Sequence, residues 1–267
     1  MSLPLNILSL LSILASIIAL SLASISDLKH REVSDAIWLF YGLASLTLFL
    51  LRFIFYPNDF WLSITSIFLT SFISFLLFEA GFFGGADFKA MVCLSLAMPL
   101  YPKKTILILS FFHPFFPLST LYNAFLLSCS YPIYILARNL LYFKSNKKIF
   151  NGLTHEPKWK KLLVLILGYK EDFSKVENSI HLYPMEEIVW INNKALRKLR
   201  IVFDIESNRE KLIENLKNAF AKDNISKMIW VTPGLPMIVF IALSFIVNLS
   251  FGDVLALLIK MFLLKIF

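Results

Sequence analysis

The sequence predicts an all-α polytopic membrane protein with six transmembrane helices and a small α+β cytoplasmic insert before the last of them. Three observations carry this expectation. Of 267 residues, 58% are hydrophobic and 16% charged, whereas soluble domains carry about 25% charged residues. Apolar runs recur at the length of about 20 residues that a helix needs to cross the hydrocarbon core. The charges are also concentrated, because residues 144–230 hold 17 of the 26 basic and 11 of the 18 acidic side chains. A polar domain therefore interrupts an apolar bundle.

The first span is Leu3–Ile25, which carries no charge before Asp27. Met1–Leu5 lacks the basic residues of a cleaved signal peptide, so this span is expected to be retained, with its N-terminus outside. Ala36–Tyr56, Phe60–Glu79, Asp87–Tyr101, Leu118–Leu136 and Pro236–Leu258 supply the other five. Thr105–Pro117 is apolar but short and interrupted by Pro114 and Pro117, which suits a re-entrant or surface-lying segment better than a crossing. In the insert, Trp159–Gly168 is too short to span and belongs on the membrane surface or in the core of the small domain. Glu187–Ile191 and Leu199–Phe203 read as strands. Glu206–Lys222 repeats apolar residues at helical spacing (Leu212, Ile213, Leu216, Ala219, Phe220) and reads as an amphipathic helix. The chain thus divides into 1–143, the 144–230 polar domain, and 231–267 with the last span.

Orientation follows from Lys and Arg near span ends. Seven, among them Lys29, Arg31, Lys89 and Lys144, fall on one side, against five on the other, among them Arg52 and Lys260. The bias places Asp27, Asp87 and the polar domain in the cytoplasm, at the plasma membrane. The net charge is +8, but the excess in the insert is diffuse and carries no nucleic-acid motif. Membrane lipid is therefore the expected neighbour. Cys93 and Cys129 lie in apolar runs without ligand spacing, which excludes a disulfide framework and a cysteine-rich metal site and suggests packing roles.

Two constellations can carry chemistry. Asp27-Leu-Lys29-His-Arg31-Glu32-Val33-Ser-Asp35 lies where a neutral helix meets the interface, and Gly81-Phe-Phe-Gly84-Gly85-Ala86-Asp87-Phe-Lys89 loosens the backbone before an acidic residue. Each alone has a plain structural reading, as interfacial anchors or ion pairs in the first case and a helix cap in the second. Spans two and three make one round trip, however, so Asp27 and Asp87 share a membrane face. Two carboxyl groups that share a proton can hold a water between them, one acting as base and the other polarising a carbonyl. Among other motifs there is no G-x-S-x-G, no H-E-x-x-H, no Walker loop and no paired Cys/His, and the four histidines are scattered.

These residues resemble the GxGD aspartic proteases of the type IV prepilin peptidase family. Asp27-x-Lys29-x-Arg31-x-Val33-x-Asp35 after the first span, Gly-x-x-Asp87-x-Lys89 opening the fourth, and Val231-Thr-Pro-Gly-Leu-Pro236 before the last are similar to the archaeal preflagellin and prepilin peptidases, the class III signal peptidases. The resemblance implies catalysis by Asp27 and Asp87, with Lys29, Arg31, Asp35, Gly84, Gly85 and Lys89 as supporting positions, and no metal or cofactor. It implies removal of short basic leader peptides from preflagellins or pilin-like precursors, whose scissile bond lies at the depth of helix ends. The bacterial members' N-terminal region with paired cysteines has no counterpart in the sequence, so N-methylation is not implied. One position departs from the pattern, since Ala86 stands where the family has glycine before the second aspartate, and alanine forgoes positive φ.

Glu32 and Asp35 are candidates to hold the basic leader. The alternative is that Glu32 pairs with Lys29 or faces water and Asp35 caps the second helix. Three rival functions are a presenilin-like protease cutting within transmembrane helices, an ion-coupled transporter and a non-catalytic scaffold. A relay would place ionisable groups at midplane, whereas Arg52, Glu79 and Asp253 all lie near an end or a break.

Overall fold

The computed structural model describes residues 3–102, 113–145, 149–179, 181–191, 194–201, 209–222 and 227–266. Its helices are α1 (Leu3–His30), α2 (Asp35–Phe55), α3 (Phe60–Glu79), α4 (Gly85–Ala97), α5 (Phe116–Ser128), α6 (Ser130–Ser145), α7 (Lys158–Leu167), α8 (Phe173–Asn178), α9 (Arg209–Lys222), α10 (Met237–Phe251) and α11 (Val254–Ile266). The strands are β1 (Tyr169–Asp172), β2 (Leu182–Pro184), β3 (Glu186–Ile191), β4 (Lys194–Leu199) and β5 (Met228–Pro233). The chain forms two compact units, Met1–Ser128 with Pro236–Phe267, and Cys129–Leu235.

Four stretches are long and apolar enough to cross a membrane: α1, α2, α3 with the 3-10 turn before it, and Phe116–Lys144. A fifth is counted if α10 and α11, bent by 64° at their junction, form one span. The segment expected at Asp87–Tyr101 contains a helix of only 13 residues, about 20 Å long, against roughly 30 Å of hydrocarbon. The re-entrant segment expected at 105–117 lies outside the described residues over 105–112, and so do Lys103, Lys104, Lys147 and Lys148.

Local chemistry sets the ends of these helices. Ser34 caps α2, its hydroxyl accepting the Ala36 N–H at 3.4 Å, and α2 stops before Pro57, which cannot continue it. At the end of α3 the Phe82 N–H bonds Leu77 O and the Gly81 N–H bonds Phe78 O, both at 2.9 Å. This double closure needs a left-handed residue, which Gly81 provides at φ +76°. Gly252, also at positive φ (+83°), ends α10 through a single bond from its N–H to Asn248 O at 3.0 Å. Asp253 then caps α11 through the Ala256 N–H at 2.9 Å.

The membrane unit packs small and hydroxylated residues inward and large apolar ones outward, the reverse of a soluble protein. Ser12, Ser16, Ala19 and Ala23 line the inner face of α1, and Ser63, Ser66, Thr70 and Ser74 that of α3. Tyr41 Oη donates to Ser16 Oγ at 2.8 Å, and Ser66 Oγ donates to the Pro99 carbonyl at 2.6 Å. Ser16 Oγ and Ser63 Oγ donate to the carbonyls of Ser12 and Asp59, four residues earlier in the chain, at 2.7 and 2.8 Å, whereas the buried hydroxyls of Ser12, Thr70 and Ser74 have no hydrogen-bond partner among the described residues. The short α4 lies at the centre, against α1, α2, α3, α5 and α10, and its Ala90, Met91 and Leu94 are fully buried. Between α5 and α10, Asn248 Nδ2 donates to Phe116 O and Thr120 Oγ1, both at 2.9 Å.

In the second unit β5 pairs antiparallel with both β1 and β2, while β3 and β4 form a hairpin in which Glu186 faces Leu199. The helix expected at Glu206–Lys222 is α9 over its described part, with 206–208 outside the described residues. The strand expected at Leu199–Phe203 ends instead at Leu199, with 202–203 outside the described residues. The reason is that β4 is held in register by the buried Arg197, 2.6 Å from Glu186, while the Leu199 N–H is taken by the Glu156 carboxylate at 2.9 Å. Cys93 is a packing residue as expected, but Cys129 is exposed.

Candidate active site

Asp27 projects from the last turn of α1. The helix closes with the Arg31 N–H on Asp27 O at 3.0 Å, and Arg31 takes φ +56°, the one left-handed non-glycine among the described residues. Such a conformation costs on the order of 1–3 kcal/mol and is characteristic of functional sites. It brings the guanidinium back to 3.8 Å from Asp27 Oδ2, whose side chain is 13% exposed.

Asp87 is placed by the turn that Gly81 begins. The chain leaves α3, passes the buried Phe83 and starts α4 with Gly84 as cap. In the third position of the helix, Asp87 accepts the Gly84 N–H on Oδ2 at 2.8 Å. A methyl group on Gly84 would sit 3.4 Å from that oxygen. Asp87 is 9% exposed and lies outside the four stretches long enough to span. Burial pushes its carboxyl up to about 7, and the Asp27 charge acts in the same direction. The Gly84 N–H and the Arg31 guanidinium oppose the shift. Asp27, Arg31 and Asp87 are therefore within electrostatic reach of one another, where α1 and α4 pack.

Ala86 sits inside the first turn of α4 with ordinary helical backbone. The cost expected of alanine at this position therefore does not arise. Lys89 reaches Asp35 on α2, Nζ to Oδ1 at 2.5 Å. Asp35 is the first residue of α2 and Ser34 its cap, so Asp35 does not hold the capping role. Lys29 and Glu32 are exposed, and the Glu32 carbonyl accepts Ser26 Oγ at 2.7 Å. Gly85 lies 3.9 Å, measured from an ideal Cβ, from the Phe78 ring. Sequence reasoning missed Ser34 as the cap, although a serine just before an apolar periodic run is the usual signal.

Apolar helices long enough to cross a membrane, with Asp27 and Asp87 in electrostatic reach at helix ends, define a polytopic helical membrane protein with a candidate carboxyl pair. The chain is a member of the type IV leader peptidase family. That family's model matches residues 14–135, and a second, archaeal peptidase A24 C-terminus type II, matches 160–254. The chain is 30% identical to the preflagellin peptidase of Methanocaldococcus jannaschii, over 91% of this chain and 95% of the relative. It is 28% identical to the preflagellin peptidase of Methanococcus voltae, over 89% and 93%. It is likewise 28% identical to that of Methanococcus maripaludis, over 88% and 93%. The protein is a peptidase with membrane-embedded helices.

Proposed function

We propose that this protein is an aspartic endopeptidase that removes basic leader peptides from preflagellins or pilin-like precursors at the cytoplasmic face of the membrane. The observation that carries the reading is the buried Asp87 carboxyl with Asp27 and Arg31 in electrostatic reach. Asp27, with the Arg31 guanidinium 3.8 Å from its Oδ2, takes a proton from a water held between the two groups. The hydroxide adds to the scissile carbonyl carbon, and protonated Asp87 donates a hydrogen bond to the carbonyl oxygen as charge develops there. Collapse of the tetrahedral intermediate breaks the C–N bond, and the proton taken by Asp27 passes to the leaving amine. No step needs a metal.

The precursor's apolar segment lies in the bilayer and its basic leader outside, so the scissile bond meets the carboxyl pair at helix ends. Glu32 and the exposed Asp35 are the carboxylates offered to the leader's Lys and Arg. The sixth membrane segment of this reading is α4, which enters the bundle without crossing the bilayer by itself. An intramembrane, presenilin-like cut is disfavoured because the pair stands at helix ends.

The test incubates membranes containing the protein with candidate precursors and reads new N-termini by mass spectrometry. One new terminus directly after a basic leader, unaffected by EDTA, is expected. Cleavage within the apolar segment, or loss on chelation restored by a divalent metal, would overturn the reading.

A further inference from the structure

The insert carries a surface that peptidase chemistry does not use. Helix α7, with sequence KWKKLLVLIL, buries Val164 and packs Leu165 beside Tyr142 of α6. Its other face presents Trp159 and Leu162, 58% and 57% exposed and one turn apart, with the exposed Lys158 next to them. A tryptophan and a leucine turned outward beside a lysine form the pattern of a helix lying in a headgroup layer.

Its depth follows from its attachment. Asn139 Nδ2 of α6 donates to the carbonyls of Leu165 at 2.8 Å and Gly168 at 2.6 Å, which fastens the end of α7 to α6. Helix α6 completes the apolar stretch Phe116–Lys144. It exposes Leu140, Leu141 and Phe143 up to the terminal Lys144. Asn139 precedes Lys144 by five residues, or about 8 Å along the helix. That distance falls within the roughly 5–10 Å over which surface helices bury their apolar face. The apolar face of α7 is thus continuous with the lipid-facing side of α6.

We propose that the outer face of α7 docks on the bilayer surface beside the end of α6, through Trp159 and Leu162 in the acyl boundary and Lys158 on anionic lipid headgroups. The excess of basic over acidic residues in the insert, 17 to 11 across 144–230, has the matching sign. This docking is independent of the peptide bond the enzyme cuts, and α7 anchors the insert whatever the substrate.

The experiment uses the full chain in vesicles of phosphatidylcholine, with and without about a third phosphatidylglycerol. Nitroxide labels are placed by Leu162→Cys and, separately, Trp159→Cys in a Cys129→Ser background, and Lys175→Cys on α8 serves as control. At positions 162 and 159, oxygen dissolved in the bilayer should relax the label more than a water-soluble nickel chelate does, and at 175 the order should reverse. Lys158→Gln should lower the ratio of docked to undocked label about fivefold in the anionic vesicles, from about 1 kcal/mol per surface lysine, and leave it unchanged in phosphatidylcholine. Labels at both 162 and 159 as open to the chelate as position 175 would overturn the proposal. Shielding from both reagents would also overturn it, because a protein surface would then cover this face. An equal effect of Lys158→Gln in both vesicle types would remove the anionic headgroup from it.

Discussion

Lys89 Nζ lies 2.5 Å from Asp35 Oδ1, which ties the first turn of α2 to the helix that carries Asp87 two residues earlier. The pair is largely solvated, Asp35 being 82% exposed at its side chain, and an exposed ion pair contributes at most about 1 kcal/mol. A basic leader can therefore displace Lys89 at modest cost. Asp35→Asn should lower kcat/KM by roughly two- to fivefold on a basic leader and much less on one whose Lys and Arg are replaced by Gln. An equal loss on both substrates would assign Asp35 to holding α4 through Lys89 instead.

In the proposed mechanism the carboxyl pair acts as one unit. Asp27→Asn and Asp87→Asn should each reduce cleavage by at least about a hundredfold, with normal membrane insertion. The double variant should be scarcely slower than either single one. Near-normal turnover in either single variant would remove that residue from the chemistry.

In the proposed mechanism Asp87, raised to about 7, sets the alkaline limit of activity, because its protonated carboxyl is the acid. The rate should fall as pH rises through about 7, and ionisation of the partner should set the acid limb, giving a bell-shaped profile. Arg31 lowers the Asp87 value, so Arg31→Gln should move the alkaline limb upward. The stability contribution has its own sign. A carboxyl whose folded value is raised above its unfolded value stabilises most at low pH, and that contribution declines between about pH 4 and 7. Thermal unfolding against pH should lose this decline in Asp87→Asn.

Ala86 needs no left-handed backbone. Restoring the family glycine, Ala86→Gly, should leave kcat within about twofold and lower stability by about 0.5–1 kcal/mol, the usual cost of glycine inside a helix. A large gain in turnover would mean that the turn before Asp87 moves during catalysis.

How much was legible differs by element. The limits of α3 followed from Pro57 on one side and Gly81 on the other, which are local signals. The length of α4 did not follow, since hydropathy counts Met98, Leu100 and Tyr101 as apolar whether or not they are helical, and Pro99 was the signal passed over. The break between α10 and α11 was legible only through Asp253, an acidic residue in an apolar run, and the positive φ of Gly252 was not. For the site, the two acidic constellations and the resemblance they carry pointed to Asp27 and Asp87 as candidates. The conformation of Arg31 and the depth of Asp87 depend on how α1 and α4 pack, which no short-range pattern encodes. The inward rows of serine on α1 and α3 were present as a helical repeat, but hydrophobicity averages conceal small hydroxylated residues.

The membrane unit is discontinuous in the chain, and this has a consequence for biosynthesis. Leu20 and Ala23 of α1, and Met91 of α4, share one core with Ile238, Ile241 and Phe245 of α10. The ribosome makes that last piece only after completing Cys129–Leu235. At translation speeds of roughly 5–20 residues per second, the first four helices wait on the order of ten seconds for their partner. During that interval a nascent peptidase has both aspartates but an unfinished core around them. The packing that holds α4 is therefore completed only once α10 has been made.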